Sequence, residues 1–171
     1  KVNLKVNQSM KPVHAKPYPV PFLHQSTFKK ELKHLCEIGV LREAPYPTQW
    51  ASPTFITPKR DGRVRWVSDF RELNKALIRD IYPLPVIHDV IMKRKGFQFF
   101  TKLDLTMMYY AMELDEPSKA LTTIVTPYGK YQYCRMAMGL KVSPDVAQSM
   151  IENVLKGLDV EVYIDDIGIF S

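Results

Sequence analysis

Apolar and polar positions along the 171 residues fall into a few regular patterns separated by proline-rich breaks. Near the end of the chain, Val160-Glu161-Val162-Tyr163-Ile164 and Ile167-Gly168-Ile169-Phe170 flank Asp165-Asp166. Alternation on both sides of a tight bend predicts a β-hairpin with two carboxylates at its turn. Phe28, Leu32, Leu35 and Cys36 recur at helical spacing between Ser26 or Thr27 as N-cap and Gly39 as stop, which predicts a helix over residues 27–38. Thr54-Phe55-Ile56-Thr57 and Val64-Arg65-Trp66-Val67 predict strands on either side of Asp61-Gly62, a strong hairpin turn. Residues 85–95 predict a helix opened by Pro85, ending in Lys93-Arg94-Lys95 and stopped by Gly96. Phe99 to Leu105 is another short apolar run, with Asp104 near its end. Ser143-Pro144-Asp145 opens a further helix whose apolar face is Val146, Met150, Ile151, Val154, Leu155 and Leu158. Prolines at 12, 17, 19 and 21 make residues 1–25 an extended arm lying across the surface. Hairpins interleaved with helices favour an α+β fold over a doubly wound sheet.

Composition adds bounds. A hydrophobic content of 46% is ordinary for one globular domain or two small lobes sharing a core. No apolar run is long enough to span a membrane, and Lys1 to Pro21 has no signal-peptide pattern. The expectation is a soluble, intracellular protein with no membrane partner. Cys36 and Cys134 are too few for a disulfide framework, and no Cys/His cluster has zinc spacing. Charge changes the picture more. Residues 1–80 hold 15 Lys/Arg against 7 Asp/Glu, whereas residues 81–171 hold 9 against 11. A basic half beside a slightly acidic one suits a protein that grips a phosphate backbone with one part and holds cations with the other.

Two adjacent aspartates are poor strand formers and repel each other, so pairing them on a turn costs stability unless a cation neutralises them. Asp104 supplies a third carboxylate. Mg²⁺ takes oxygen ligands and is held by a few carboxylates plus substrate phosphates. Two such ions stabilise the attacking and leaving oxygens of an in-line phosphoryl displacement. An Asp-Asp pair alone is more often a solvated turn, so its company decides the reading.

That company is Trp50-Ala51-Ser52-Pro53, then Arg65 to Asn74 with Asp69-Phe70-Arg71-Glu72-Leu73-Asn74 inside it, and Tyr82-Pro83-Leu84-Pro85. It continues with Leu103-Asp104-Leu105 followed by Tyr109, Met138-Gly139-Leu140 with Ser143-Pro144, and Tyr163-Ile164-Asp165-Asp166. In this order the chain resembles the fingers and palm of reverse transcriptases, closest to Gypsy-type long-terminal-repeat retrotransposons. The resemblance implies right-hand polymerase fingers plus a partial palm, a ferredoxin-like antiparallel sheet with helices on one face. It divides the chain into an arm (1–25), fingers (26–80), palm (81–111), fingers again (112–142) and palm again (143–171). It implies an RNA- and DNA-directed DNA polymerase using two Mg²⁺ ions, with Mn²⁺ as the alternative. The implied partners are an RNA template, a DNA primer and template, and dNTPs. The remaining palm, the thumb and an RNase H region of a parent polyprotein are expected outside these residues, so the isolated chain is expected to show little processive synthesis. The implied location is cytoplasmic, within virus-like particles, or nuclear.

Residue by residue, the resemblance makes Asp104 and Asp165 the principal metal ligands, Asp166 the third carboxylate, and the Leu105 carbonyl part of one cation's shell. Lys59 and Arg65 sit where the family holds the incoming triphosphate, with Arg60 and Arg63 as neighbouring cations toward nucleic acid. Asp69 and Arg71 read as an ion pair supporting the fingers, with template contact as the second role of Arg71. Tyr109, five positions past Asp104, sits where the family places a ring beneath the sugar, which selects deoxynucleotides. Met138-Gly139 passes close to the incoming base, Gln148 either hydrogen-bonds within the site or faces solvent, and Tyr163 lies toward nucleic acid. Two departures stand out: Met136-Ala137-Met138 where the family has Leu-Pro then Phe or Gln, and Met107-Met108 where it has small residues. Flexible methionines there would loosen the nucleotide pocket. Competing readings are a catalytically silent nucleic-acid-binding remnant, which has no reason to keep three repelling acids, and a nucleotide cyclase, which lacks a basic fingers lobe.

Overall fold

The computed structural model describes residues 1–59, 64–93 and 96–171, Lys93 by its backbone. The chain forms two compact units, each assembled from two separate segments: unit 1 from Lys1–Ile78 and Tyr109–Lys141, unit 2 from Arg79–Met108 and Val142–Ser171. In chain order the elements are α1 (Phe22–Glu37), β1 (Leu41–Glu43), β2 (Ser52–Pro58), β3 (Val64–Ser68), α2 (Arg71–Ala76), α3 (Ile87–Lys93) and β4 (Phe100–Asp104). A 3-10 turn at Met108–Ala111 follows, then α4 (Glu116–Leu121), β5 (Thr123–Thr126), β6 (Gly129–Tyr133), α5 (Ser143–Val154), β7 (Glu161–Tyr163) and β8 (Asp166–Phe170).

Unit 1 is built on a five-stranded sheet of order β1-β6-β5-β2-β3. Every pair is antiparallel except β2 with β5, where Ser52 and Pro53 face Ile124 and Val125 in parallel. Helix α1 buries Phe28, Leu32 and Leu35, and the Phe28 ring lies 4.7 Å from Trp66 and 5.8 Å from Tyr128. This stripe is the one that the helical spacing predicts. The helix begins earlier than expected, however, at Phe22 directly after Pro21, and no side chain caps it. Nothing between Pro21 and Thr27 breaks a helix, so it propagates back to the proline, whose fixed φ suits a helix start. The N-terminal arm has no strand of its own, as its prolines require. It is stitched to unit 1 by single bridges at Val2, Val6 and His14, and Leu4 is buried.

Unit 2 carries a three-stranded antiparallel sheet of order β4-β8-β7. Its β7–β8 hairpin is the one that the alternation predicts, but the turn is Ile164-Asp165 and Asp166 is the first residue of β8, paired with Tyr163. Helix α3 opens at Ile87, two residues later than expected, and Arg94 and Lys95 lie outside the described residues. Helix α5 starts at Ser143 as expected but presents a different face: Ala147, Gln148 and Ile151 are buried, whereas Val154 and Leu158 are 71% and 62% exposed. The helix ends at Val154, so Leu158 never joins the stripe. A glutamine takes an inward position because the adjacent hairpin offers backbone groups that need partners. The turn expected at Asp61-Gly62, like Arg60 and Arg63, lies outside the described residues. Two sheets with their helices make the α+β fold that the sequence predicts. Among the described residues no helix is long and apolar enough to cross a membrane.

Candidate functional site

The acids come together through strand register in unit 2. Strand β4 pairs with β8 from Phe100↔Phe170 to Asp104↔Asp166, and β8 pairs with β7 at Tyr163↔Asp166. Side chains directly opposite each other on antiparallel strands share a face, with Cβ atoms about 4.5–5.5 Å apart. The mid-chain aspartate therefore shares an end of the sheet with the terminal pair. Just past that end, the Leu105 N–H donates to the Asp165 carbonyl at 2.8 Å, so the loop after β4 is tied to the turn itself. The Leu105 carbonyl accepts one long bond, 3.3 Å from Met108 N–H, and a carbonyl has a second lone pair to offer.

Turn geometry at the acids is unusual. Ile164 has φ 55°, the left-handed region that a β-branched residue adopts only under constraint. The constraint is Gln148. Its Oε1 accepts from the Ile164 N–H at 2.6 Å, and its Nε2 donates to the Val162 carbonyl at 2.9 Å. Gln148 is fully buried, so of the two sequence alternatives it does not face solvent but hydrogen-bonds within the site, to the backbone of the hairpin that carries the acids. An amide on a rigid helix can satisfy one donor and one acceptor of a turn at once.

Asp104 and Asp165 are exposed and Asp166 is half-buried. The Lys102 ammonium lies 2.8 Å from Asp166 Oδ2. Its pKa is raised, chiefly by the hydrogen bond to Asp166, with Asp104 and Asp165 adding attraction. A flexible cation drawn toward three acids marks where positive charge is stabilised, and all-oxygen donors on adjacent strands suit a hard divalent ion. The donor set fits Mg²⁺ or Mn²⁺. Among the described residues, though, no three acidic, His or Cys side chains are arranged to hold a metal. Convergence is thus reached by the strands and not by a ready cluster of carboxylates.

The remaining sequence-selected residues lie in unit 1, except Tyr163 in unit 2. Arg65 is exposed on β3 opposite Thr57, and Lys59 is exposed one residue past β2. Asp69 and Arg71 form a forked ion pair, Nε to Oδ1 at 2.8 Å and Nη2 to Oδ2 at 2.6 Å, with the Tyr18 hydroxyl donating to Oδ2. The Arg71 bonds, then that of Tyr18, hold the Asp69 carboxyl well below its usual range. Tyr109 is half-buried in the 3-10 turn that begins at Met108. Just before it Met107 sits at φ 56°, a conformation that glycine, with no Cβ, adopts without strain. Met138 and Gly139 are exposed, and Gly139 has φ 89°. Sequence reasoning missed the clamp on this segment: Asn74 Nδ2 donates to the Gly139 carbonyl at 2.8 Å while its Oδ1 accepts from Lys141 N–H at 2.8 Å. Tyr163 is half-buried on β7.

A family model described as reverse transcriptase (RNA-dependent DNA polymerase) matches residues 57–171, more than half of the chain. The chain belongs to the reverse transcriptase family. It is 34% identical over 168 residues to the retrovirus-related Pol polyprotein from transposon 297 of Drosophila melanogaster, covering 94% of the chain and 16% of that protein. The Pol polyprotein from transposon opus of the same organism is 33% identical across 100% of the chain and 18% of its own length. Among solved structures, the prototype foamy virus protease-reverse transcriptase superimposes with a TM-score of 0.83 at 26% identity, covering 94% of the chain and 22% of the viral protein. The foamy viral enzyme in complex with an RNA/DNA hybrid superimposes at 0.84 and 20% identity, over 95% of the chain and 22% of its own length, a likeness of fold. This reverse transcriptase segment thus spans under a fifth of the length of these polyprotein relatives.

One missed neighbour of the acids had a signal in the chain, whereas the partners of Gln148 had none. Lys102 lies two positions before Asp104, and a strand's period of two puts both on one face. Gln148 leaves no such trace, since its partners lie 14 and 16 residues away.

Proposed function

We propose that this chain is the fingers (unit 1) and partial palm (unit 2) of an RNA- and DNA-directed DNA polymerase encoded by a long-terminal-repeat element. The reading is carried by one observation: Asp104 faces Asp166 at the end of the β4–β8 ladder while Leu105 is bonded to the Asp165 carbonyl. Asp104, Asp165, Asp166 and the Leu105 carbonyl hold the divalent ions. When bound, two Mg²⁺ or Mn²⁺ ions supply charge neutralisation at the α-phosphate and lower the cost of exposing a primer 3′-oxyanion. The protein's own part is positioning. Lys59 provides a point charge and Arg65 a planar fork for the triphosphate oxygens. Tyr109 blocks the space of a 2′-hydroxyl, and the Met138-Gly139 backbone, fixed by Asn74, lies along the base. The basic excess of unit 1 and the exposed guanidinium of Arg71 suit a template backbone, as for the foamy viral relative that carries an RNA/DNA hybrid.

Incorporation of one deoxynucleotide onto a primed RNA template, measured in the intact protein that carries these residues, tests the reading. Asp165→Asn is expected to lower the Mg²⁺-dependent rate by roughly 10²–10³-fold or more, as losing a group that stabilises transition-state charge does. Equal rates would leave only a nucleic-acid-binding role. Tyr109→Val is expected to admit ribonucleotides; unchanged sugar discrimination would reduce the ring to packing.

A further inference from the structure

Gln148 does not end the chain of bonds that fixes the turn. Its Nε2 also donates to Glu152 Oε1 at 2.6 Å, one helical turn further along α5. The other carboxylate oxygen, Oε2, accepts from the Tyr82 hydroxyl at 2.5 Å, with Ser149 beside that hydroxyl. Tyr82 belongs to the Tyr82-Pro83-Leu84-Pro85 strap, whose prolines remove backbone donors and limit its motion. A second anchor holds the strap at its start: the Tyr82 N–H donates to Asp145 Oδ1 at 3.1 Å, and Arg79 forks onto both Asp145 oxygens at 2.6 and 3.1 Å. All of these groups lie in unit 2.

A fully buried amide can rotate about its last torsion, and a rotation exchanges its donor and acceptor ends. Only one orientation serves both the Ile164 N–H and the Val162 carbonyl. Glu152 enforces that orientation, because a carboxylate accepts hydrogen bonds and offers none to an amide oxygen. Tyr82 in turn holds the carboxylate rotamer. We propose that Tyr82 and Glu152 are positioning residues of the polymerase site: acting through Gln148, they hold the strained Ile164 turn and so aim Asp165 and Asp166 at the divalent ions. The proposal rests on the two-ion reading above.

Tyr82→Phe, in the intact protein, removes one hydroxyl and keeps the ring. It is expected to speed amide exchange at Ile164 several-fold while the β4–β8 ladder at Thr101 and Ile169 keeps its protection. The Mg²⁺ concentration for half-maximal incorporation should rise roughly tenfold, the low end for losing a partner behind a metal ligand, with the KM for dNTP and the Tm unchanged. Glu152→Ala should do the same, and Glu152→Gln should recover most of that loss, since its amide can accept from Gln148 and donate to the tyrosine oxygen. Unchanged Ile164 exchange and Mg²⁺ dependence in Tyr82→Phe would overturn the proposal, as would a Glu152→Gln protein no better than Glu152→Ala. Should Tyr82→Phe fail to fold, the Glu152 pair decides alone. The exchange measurement needs no turnover, so full activity in Asp165→Asn would sink the polymerase reading while the Ile164 amide still reported on the positioning chain.

Discussion

Unit 1 and unit 2 achieve order by different means. In unit 1, Phe28, Leu32, Leu35, Trp66, Phe70 and Leu73 are each at most 6% exposed and pack between α1, α2 and a five-stranded sheet. In unit 2 the buried apolar residues among those described are Met108, Val142, Ala147, Ile151, Val162 and Ile167, while Ile87, Ile91, Phe99, Phe100 and Val154 are all more than half exposed. With so little packing, unit 2 leans on side chains bonded to backbone, Gln148 to the hairpin and Asp145 to the strap, bonds that in unit 1, as at Asn74, add to a packed core. Charge follows the same division. The segments of unit 1 hold 18 Lys/Arg against 9 Asp/Glu, those of unit 2 hold 6 against 9. A packed core fixes volume but tolerates small rotations. A directional bond to a named N–H fixes the orientation of a turn, which is what a pair of metal-binding acids requires.

The sharpest way to break this contrast is to truncate the same kind of atom in each unit. Phe28 is 0% exposed and in contact with two rings, so Phe28→Ala should cost about 3–5 kcal/mol by lost burial and a residual cavity. Val154, at the end of α5 and 71% exposed, should change stability by less than about 0.5 kcal/mol when replaced by Ala. Urea unfolding of both variants measures the difference. Comparable losses would mean that unit 2 is held by packing after all.

Acid should act on unit 2 through its polar anchors. Asp145 is buried, and its carboxyl is held below its ordinary range, first by the Arg79 bond and then by the Tyr82 N–H. A carboxyl whose folded pKa lies below its unfolded one adds stability that is complete above the unfolded value, about 3.9, and is lost as pH falls through the folded value. Protection of the strap and of the start of α5 is therefore expected to fall below about pH 4, and in Arg79→Met that acid step should shrink, with less protection at neutral pH. In unit 1 the Glu116 carboxyl is lowered further, to about 2, first by Arg42 and then by Lys119, yet it is 64% exposed. Solvent screens such a pair, so Arg42→Met should leave the acid limb of unit 1 nearly unchanged. A larger effect there than in Arg79→Met would reverse the comparison.

What the chain discloses about itself follows the same physical line. Period-two alternation finds β2, β3, β7 and β8, and the helical stripe of Phe28, Leu32 and Leu35 finds α1, because in each case burial and local geometry agree. Alternation also delivers the hairpin that carries Asp165 and Asp166, although its turn falls one residue earlier, at Ile164-Asp165. Register is another matter. That Asp104 faces Asp166 depends on a pairing across 61 intervening positions, and nothing local in Phe99 to Leu105 encodes which strand it meets. The inward face of α5 misleads for a related reason. A stripe drawn through apolar residues favours Val154 and Leu158, whereas the position that matters is a glutamine whose burial is tolerable only because a distant turn supplies its partners. The start of α1 fails on a smaller point, since Ser26 and Thr27 look like caps but a helix needs no cap where it can run back to a proline.

Lys102 offers the finest test of how unit 2 manages its charge. Its ammonium reaches Asp166 at 2.8 Å from a side chain that is 55% exposed, an arrangement that salt and solvent weaken. The acids at the end of the ladder still repel one another, and Lys102 is the tethered cation drawn toward them. Lys102→Met keeps the strand-facing methylenes and removes the charge. Without added metal the variant should melt slightly below the parent protein at low ionic strength, and the gap should narrow in salt. Mg²⁺ should then raise its Tm by more than it raises that of the parent, because a divalent ion no longer displaces an internal competitor. An identical Mg²⁺-dependent shift in both proteins would show that Lys102 is an ordinary surface pair with Asp166. The turn would then owe its order to Gln148 alone, and the polar scheme of unit 2 would concern backbone direction and not charge.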